Sequence, residues 1–167
     1  MPRRLLLIRH AQAAGAPVDR DRPLTGPGTR NAAAIGSWLA GNGYVPDRAV
    51  VSPALRTRQT WEQVADAFPA GLAAEVEERI YDNTVDAVLA VITETPEDAQ
   101  TLVVVGHNPS VGELAFALDD GEGDPVAQRK LHAGFPAGAV AVFEVAGVFG
   151  DIAPGAATLT AFEVPTA

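Results

Sequence analysis

The chain contains no cysteine. That absence excludes disulfides, thiolate metal sites and any phosphatase chemistry built on a cysteine nucleophile. Lysine is almost missing too: Lys130 stands alone, and the other basic side chains are arginines, which suit bidentate recognition of phosphate or carboxylate. Positive charge is scarce as well. With 12 basic and 21 acidic residues the formal net charge is −9, the wrong sign for tracking nucleic acid or an anionic membrane surface. No apolar stretch approaches membrane-spanning length. Met1-Pro2-Arg3-Arg4 leads into a short apolar run, Leu5 to Ile8, that Arg9-His10 interrupts, which is too short for a secretory signal. A cytoplasmic setting without nucleic-acid or membrane partners is expected.

What is present can build a core. Hydrophobic residues make up 47% of 167 positions, a length that suits one domain over residues 1–167. Leu5–Ile8, Ala49–Val51 and Leu102–Val105 are short, all-apolar runs, the pattern of strands buried on both faces. Ala139–Val145 and Thr158–Val164 read as two further strands that pair. Between them lie helical patterns. Thr25 as cap and Pro27 precede Ala32, Ile35, Trp38 and Leu39, with Gly41 and Gly43 as the stop. Ser52-Pro53 reads as a cap and first-turn proline for a helix carrying Trp61, Val64, Ala65 and Phe68, closed by Pro69 and Gly71. Thr84 caps a helix with Val85, Val88, Leu89 and Ile92, and Asn108-Pro109 repeats the cap-and-proline pattern before Val111, Leu114, Ala115 and Leu118. The alternation implies a single-domain α/β fold, a three-layer α/β/α sandwich with a mostly parallel central sheet and helices on both faces.

The chemically interesting residues sit at the ends of the buried runs: Arg9-His10, then Arg56, then His107. In open α/β sheets ligands bind at the carboxyl ends of parallel strands, where helix N-termini add backbone donors. If the three strands are parallel, two histidines and two arginines converge on a crevice suited to a phosphoryl dianion. A metal site fits poorly, because two guanidinium groups would repel a divalent cation and ligand carboxylates are missing. No metal and no cofactor are expected.

These residues carry a family resemblance. Leu7-Ile8-Arg9-His10-Ala11 resembles the Arg-His-Gly signature of the histidine phosphatase superfamily, with Ala11 in place of glycine. Ser52-Pro53-Ala54-Leu55-Arg56-Thr57-Arg58-Gln59-Thr60 resembles its Ser-Pro-x-x-Arg-x-x-x-Thr segment, and Leu24-Thr25-x-x-Gly28 its Leu-Thr-x-x-Gly turn. Val105-Gly106-His107-Asn108-Pro109 is similar to the second-histidine motif of the short, SixA-type phosphohistidine phosphatases. The resemblance implies that His10 is the nucleophile and that Arg9, Arg56 and His107 bind the phosphoryl oxygens. His10 must be neutral to attack, and Arg9, Arg56 and a protonated His107 would favour that form. The resemblance also implies an acid after the second arginine. Asp82 is the best match, with Glu78 second, although Asp82 can equally be read as a cap for the helix near Thr84. Gln12 replaces the Glu or Asp of many relatives and could still donate to phosphate.

Larger relatives insert a lid between the acid and the second histidine. Here the stretch from Asp82 to His107 is consumed by a helix and a strand. An open pocket favours phosphohistidine on a protein as substrate. A broad phosphomonoesterase for small phosphate monoesters is the alternative enzyme, and a phosphate- or phosphoprotein-binding module without turnover is the alternative of another class. The intact pair His10 and His107 argues against that module. Plainer readings remain for other residues: Arg56 pairing with Glu62 or another surface carboxylate, His132 in a surface loop, Arg58 facing solvent, Trp38 and Trp61 in the core, and Asp119–Asp124 as a solvated loop without calcium-loop spacing.

Overall fold

The structure is a computed structural model that describes residues 1–69 and 72–166, so Gly71, expected to help close a helix, lies outside the described residues. Among the described residues six strands form one sheet: β1 (Arg3–Arg9), β2 (Arg48–Val51), β3 (Ala74–Val76), β4 (Thr101–Gly106), β5 (Val140–Val145) and β6 (Ala157–Glu163). Their order is β3-β2-β4-β1-β5-β6. The first four are mutually parallel, and β5 runs antiparallel to both β1 and β6.

The apolar runs behave as the physics of a doubly covered sheet requires. Leu5 and Leu7 of β1 face one core cluster, and Leu6 and Ile8 face the other. Successive side chains alternate between faces, so a strand covered on both sides must be apolar throughout. Helices α1 (Gly26–Gly41) and α2 (Leu55–Ala65) cover one face through Ile35, Leu39, Trp61 and Val64. Helices α3 (Glu78–Tyr81), α4 (Val85–Thr93), α5 (Ser110–Leu118) and α6 (Pro125–Ala133) cover the other through Ile80, Val88, Ile92, Val111, Leu114 and Leu131. No helix of the described residues is long and apolar enough to cross a membrane.

Thr25 and Thr84 cap α1 and α4 through their hydroxyls, which accept from Gly28 N and Ala87 N. Two other expected caps differ. Helix α2 starts only at Leu55, and Ser52 lies too far upstream to cap it. Asn108 does accept an orphan helix N–H, that of Gly112 at 3.1 Å, although α5 begins at Ser110. Strand β3 and helices α3 and α6 have no counterpart in the apolar patterns. Strand β3 is a three-residue edge with Glu75 and Val76 exposed. Helix α6 buries only Ala127 and Leu131, so its apolar stripe is too thin to register. Its Asp124-Pro125 start is a cap-and-proline signal of the kind seen elsewhere, with Asp124 accepting from Ala127 N at 2.8 Å. His132 therefore sits on α6, not in a loop, with its ring 5.0 Å from that of Phe116.

Candidate active site

The carboxyl ends of β1, β2 and β4 lie side by side in the sheet, and the chain leaving each carries one part of a polar cavity. His10 follows β1, Arg56 lies in the first turn of α2, and His107 follows β4. The cavity measures about 360 Å³ and is lined by Arg9, His10, Asp19, Arg22, Arg56, Tyr81, Asn83, His107 and Asn108. Four residues expected to meet from distant parts of the sequence do meet. A larger groove of about 730 Å³ beside Trp38 and Pro165 is mostly apolar and holds no histidine.

The His10 ring is anchored by a 2.8 Å contact between Nδ1 and the Ala11 carbonyl. A carbonyl only accepts, so Nδ1 carries the proton and Nε2 keeps its lone pair. The Ala11 N–H donates to Thr60 Oγ1 at 3.1 Å, which gives the last threonine of the Ser-Pro-x-x-Arg-x-x-x-Thr segment its purpose. Gln59 accepts from Leu24 N at 2.9 Å, and Thr25 N donates to the Gln12 carbonyl at 3.0 Å. These contacts fold the stretch from Ala11 to Leu24 back against α2.

The rings of His10 and His107 stand 5.4 Å apart between centroids, tilted by 58°. Burial lowers the His10 pKa to about 4, and it outweighs the raising effect of the Ala11 contact, while Arg56, Arg9 and Arg22 lower it further. His107 is pushed down to about 3, first by burial, then by Arg56 and His10. Both rings are neutral at pH 7. The reading in which a protonated His107 helps to neutralise His10 is therefore corrected: the arginines and burial suffice for both.

Arg9 Nη1 donates to the Phe135 carbonyl at 3.0 Å. Arg56 is 6% exposed and pairs with a surface carboxylate, that of Asp19 rather than Glu62, through Nη1 to the Asp19 backbone carbonyl at 2.8 Å and Nη2 to Oδ2 at 3.2 Å. Among the described residues three buried polar atoms at the cavity have no partner: Arg9 Nε, Arg56 Nε and His107 Nδ1. Buried donors are almost always satisfied, and orphans clustered around one cavity point to a ligand that accepts hydrogen bonds. With Arg22 nearby and two helices, α2 and α5, starting at this rim, the arrangement favours a multiply charged oxyanion. Among the described residues no group of three or more His, Asp or Glu side chains is placed to hold a metal ion.

Three expected site residues stand elsewhere. Asp82 is exposed at the end of α3 and does not line the cavity, whereas its neighbours Tyr81 and Asn83 do. Nor does it cap α4, a role Thr84 fills. Glu78 turns outward to pair with Arg20 at 2.9 Å. Gln12 is exposed and accepts from Thr25 Oγ1 at 2.8 Å, away from the cavity.

In their place the lining brings Asp19, its only carboxylate, from a single 3₁₀ turn (Asp19–Asp21). Tyr81 Oη donates to Asp19 Oδ2, and this bond, then Arg56, holds the carboxyl down at about 2. The Tyr81 ring meets His107 edge-on at 5.7 Å and carries the Arg20 guanidinium on its face at 4.4 Å. Asn83, at φ +60°, donates to the Asn108 carbonyl at 2.7 Å and so ties the α3 end to the second-histidine loop. The left-handed Asn83 was the signal available for this turn, since asparagine tolerates that conformation better than most side chains. Nothing in the sequence marks Asp19.

A family model described as histidine phosphatase superfamily (branch 1) matches residues 5–88. Phosphohistidine phosphatase SixA of Escherichia coli K12 is 34% identical over 127 residues, covering 73% of this chain and 78% of that protein. A solved structure of a candidate phosphohistidine phosphatase SixA from Nakamurella multipartitia superposes with a TM-score of 0.84 at 36% identity, covering 100% of both chains. The protein histidine phosphatase SixA complexed with tungstate gives a TM-score of 0.79 at 30% identity over 97% of each chain.

Proposed function

Because the chain belongs to the histidine phosphatase superfamily and is a histidine-nucleophile phosphatase, we propose that it removes phosphoryl groups from histidine side chains of other proteins, with His10 as the attacking residue. His10 Nε2 attacks phosphorus, the bond to the substrate imidazole nitrogen breaks, and that nitrogen takes a proton from water. Water then cleaves the phosphohistidine at residue 10, releasing inorganic phosphate and restoring the ring. The Ala11 carbonyl holds the Nδ1 proton and balances the positive charge that builds on the ring during attack.

Arg9, Arg56 and His107 bind the phosphoryl oxygens in this reading. The observation that carries it is the set of unpartnered polar atoms, Arg9 Nε, Arg56 Nε and His107 Nδ1, beside an imidazole with a free lone pair. In-line transfer asks little of a protein beyond positioning and preorganised positive charge.

Two features favour a nitrogen-bound phosphoryl group on a protein. The only lining carboxylate, Asp19, is held ionised and is a poor proton donor at neutral pH. An imidazole leaving group needs less protonation than an alkoxide, for which general acid catalysis supplies typically ~10²–10⁴-fold. The segment from Asp82 to His107, where larger superfamily members carry a lid, is taken up by α4 and β4, and α4 commits Val88, Val91 and Ile92 to the core. The test compares kcat/KM for a phosphohistidine-bearing protein with that for p-nitrophenyl phosphate and small metabolite esters. The protein substrate is expected to win; a clear preference for a small ester overturns the proposal.

A further inference from the structure

Ser52 opens the Ser-Pro segment that the sequence presents as a helix cap, yet its hydroxyl accepts no N–H from within α2 and reaches only that of Ala54, the residue before the helix. Ser52 is fully buried and follows β2 directly. Its N–H donates to the Val105 carbonyl at 3.2 Å, and its carbonyl accepts from Thr57 Oγ1 at 2.8 Å, so its backbone is fixed between β4 and α2. Its Oγ accepts from Ala54 N at 3.3 Å and stands 2.7 Å from His107 Nε2.

We propose that Ser52 is a positioning residue whose hydroxyl donates to His107 Nε2, locking that ring as the tautomer with its proton on Nδ1 and so presenting an N–H to the phosphoryl group. The inference rests on the reading of His107 as a phosphoryl ligand.

Counting donors and acceptors leads to this tautomer. The Ser52 oxygen already accepts the Ala54 N–H, so its own hydrogen needs an acceptor, and His107 Nε2 is the one within reach. That choice leaves a single orphan, the Nδ1–H, which a phosphoryl oxygen satisfies. With the proton on Nε2 instead, the buried serine hydrogen would lack an acceptor, and Nδ1 would turn a lone pair toward the incoming anion. His10 and His107 thus share one tautomer but use opposite edges. His10 hides its Nδ1–H against Ala11 and offers Nε2 as nucleophile; His107 gives its Nε2 to Ser52 and offers Nδ1–H as donor.

One motif therefore sets two parts of the site. Its serine orients the second histidine, and its arginine, in the first turn of α2, enters the same cavity. A partner that fixes the far nitrogen of an imidazole commonly decides what the near nitrogen can do.

The test is nitrogen NMR on the full ¹⁵N-labelled chain at pH 7. The wild-type His107 is expected to show a protonated Nδ1 and an unprotonated Nε2, with the Nδ1 resonance moved by orthovanadate. In Ser52→Ala the proton is expected to redistribute toward Nε2, and kcat to fall about 10- to 100-fold, the range that follows loss of the outer partner of a metal-bound histidine. Ser52→Thr, which keeps the hydroxyl, is expected to retain the wild-type tautomer. A wild-type spectrum with the proton on Nε2, or an alanine variant with unchanged tautomer populations, overturns the proposal. The wild-type spectrum decides by itself if the alanine variant does not fold. It is also independent of substrate, so failure to turn over phosphohistidine is a separate result.

Discussion

Asp19 meets Arg56 twice, once through its backbone carbonyl and once through its carboxylate. The first contact positions the guanidinium; the second sets an anion beside a donor proposed for the phosphoryl group. The Asp19 side chain is 52% exposed, so water screens its charge and its repulsion of a dianion is modest. Asp19→Asn keeps the backbone contact and removes the charge. Inorganic phosphate, measured as a competitive inhibitor, is expected to bind about twofold to fivefold tighter, the range of a screened surface charge. Weaker binding would mean that the carboxylate is required to aim Arg56.

Acid should destabilise the fold through the two histidines. Their pKa values are lowered to about 4 and about 3 in the native state, mainly by burial, whereas an unfolded chain titrates near ~6.5. Between those limits the unfolded chain binds protons that the native protein does not, so stability rises with pH and falls on acidification. The unfolding midpoint is therefore expected to drop from pH 7 to pH 5, and to drop less in His107→Asn. Asp19, held at about 2, adds its own loss only below the ordinary carboxylate range, outside this window. An identical pH slope in variant and wild type would refute the assignment.

Gly28 is required by a close approach. A Cβ there would lie 2.1 Å from the Gln12 carbonyl oxygen, between backbone segments that cannot yield cheaply. Gly28→Ala must push the start of α1 away from the loop that carries Ala11, Asp19 and Arg22. A loss of roughly 1–3 kcal/mol is expected from such overpacking, together with lower activity, because the Ala11 carbonyl orients His10. Gly15→Ala, with nothing within 4 Å of the added carbon, serves as the control and should melt like the wild type.

Particular residues show why some of this was legible in the sequence and some was not. Leu5–Ile8 and Leu102–Val105 announce doubly covered strands because burial on both faces removes alternation, and the residues that follow them fall at one rim of the sheet. Arg9, His10 and His107 could be placed on that basis, and Arg56 through the Ala49–Val51 run and the Ser-Pro-x-x-Arg-x-x-x-Thr segment that follows it. Asp82 could not: a single turn of α3 decides which neighbour faces inward, and Tyr81 and Asn83 point to the cavity while the residue between them is exposed. Asp19 lies in a stretch without apolar periodicity, and only Arg56 reaching out from α2 makes it part of the site. The role of Ser52 is not legible in the sequence because its partner, His107, is remote along the chain.

Arg56 should not tolerate replacement by lysine. The guanidinium places Nη1 and Nη2 on Asp19 and leaves a buried Nε without a partner, the atom that the proposed function assigns to a phosphoryl oxygen. Lysine offers one compact ammonium in place of this planar fork, so it cannot hold the Asp19 carbonyl and the phosphoryl group in the same geometry. Arg56→Lys keeps the positive charge that helps hold His10 neutral. The nucleophile should therefore survive while transition-state binding suffers. Loss of one preorganised donor costs typically ~10²–10³ in kcat, and a drop of about a hundredfold is expected here, with an unchanged far-ultraviolet spectrum. The proposed nucleophile, His10, is untouched in this variant, so rapid-quench labelling should still show an acid-labile phosphoenzyme, formed more slowly than in the wild type. A variant with near wild-type kcat would mean that charge alone, and not the directed donors of a guanidinium, is what the site requires at residue 56.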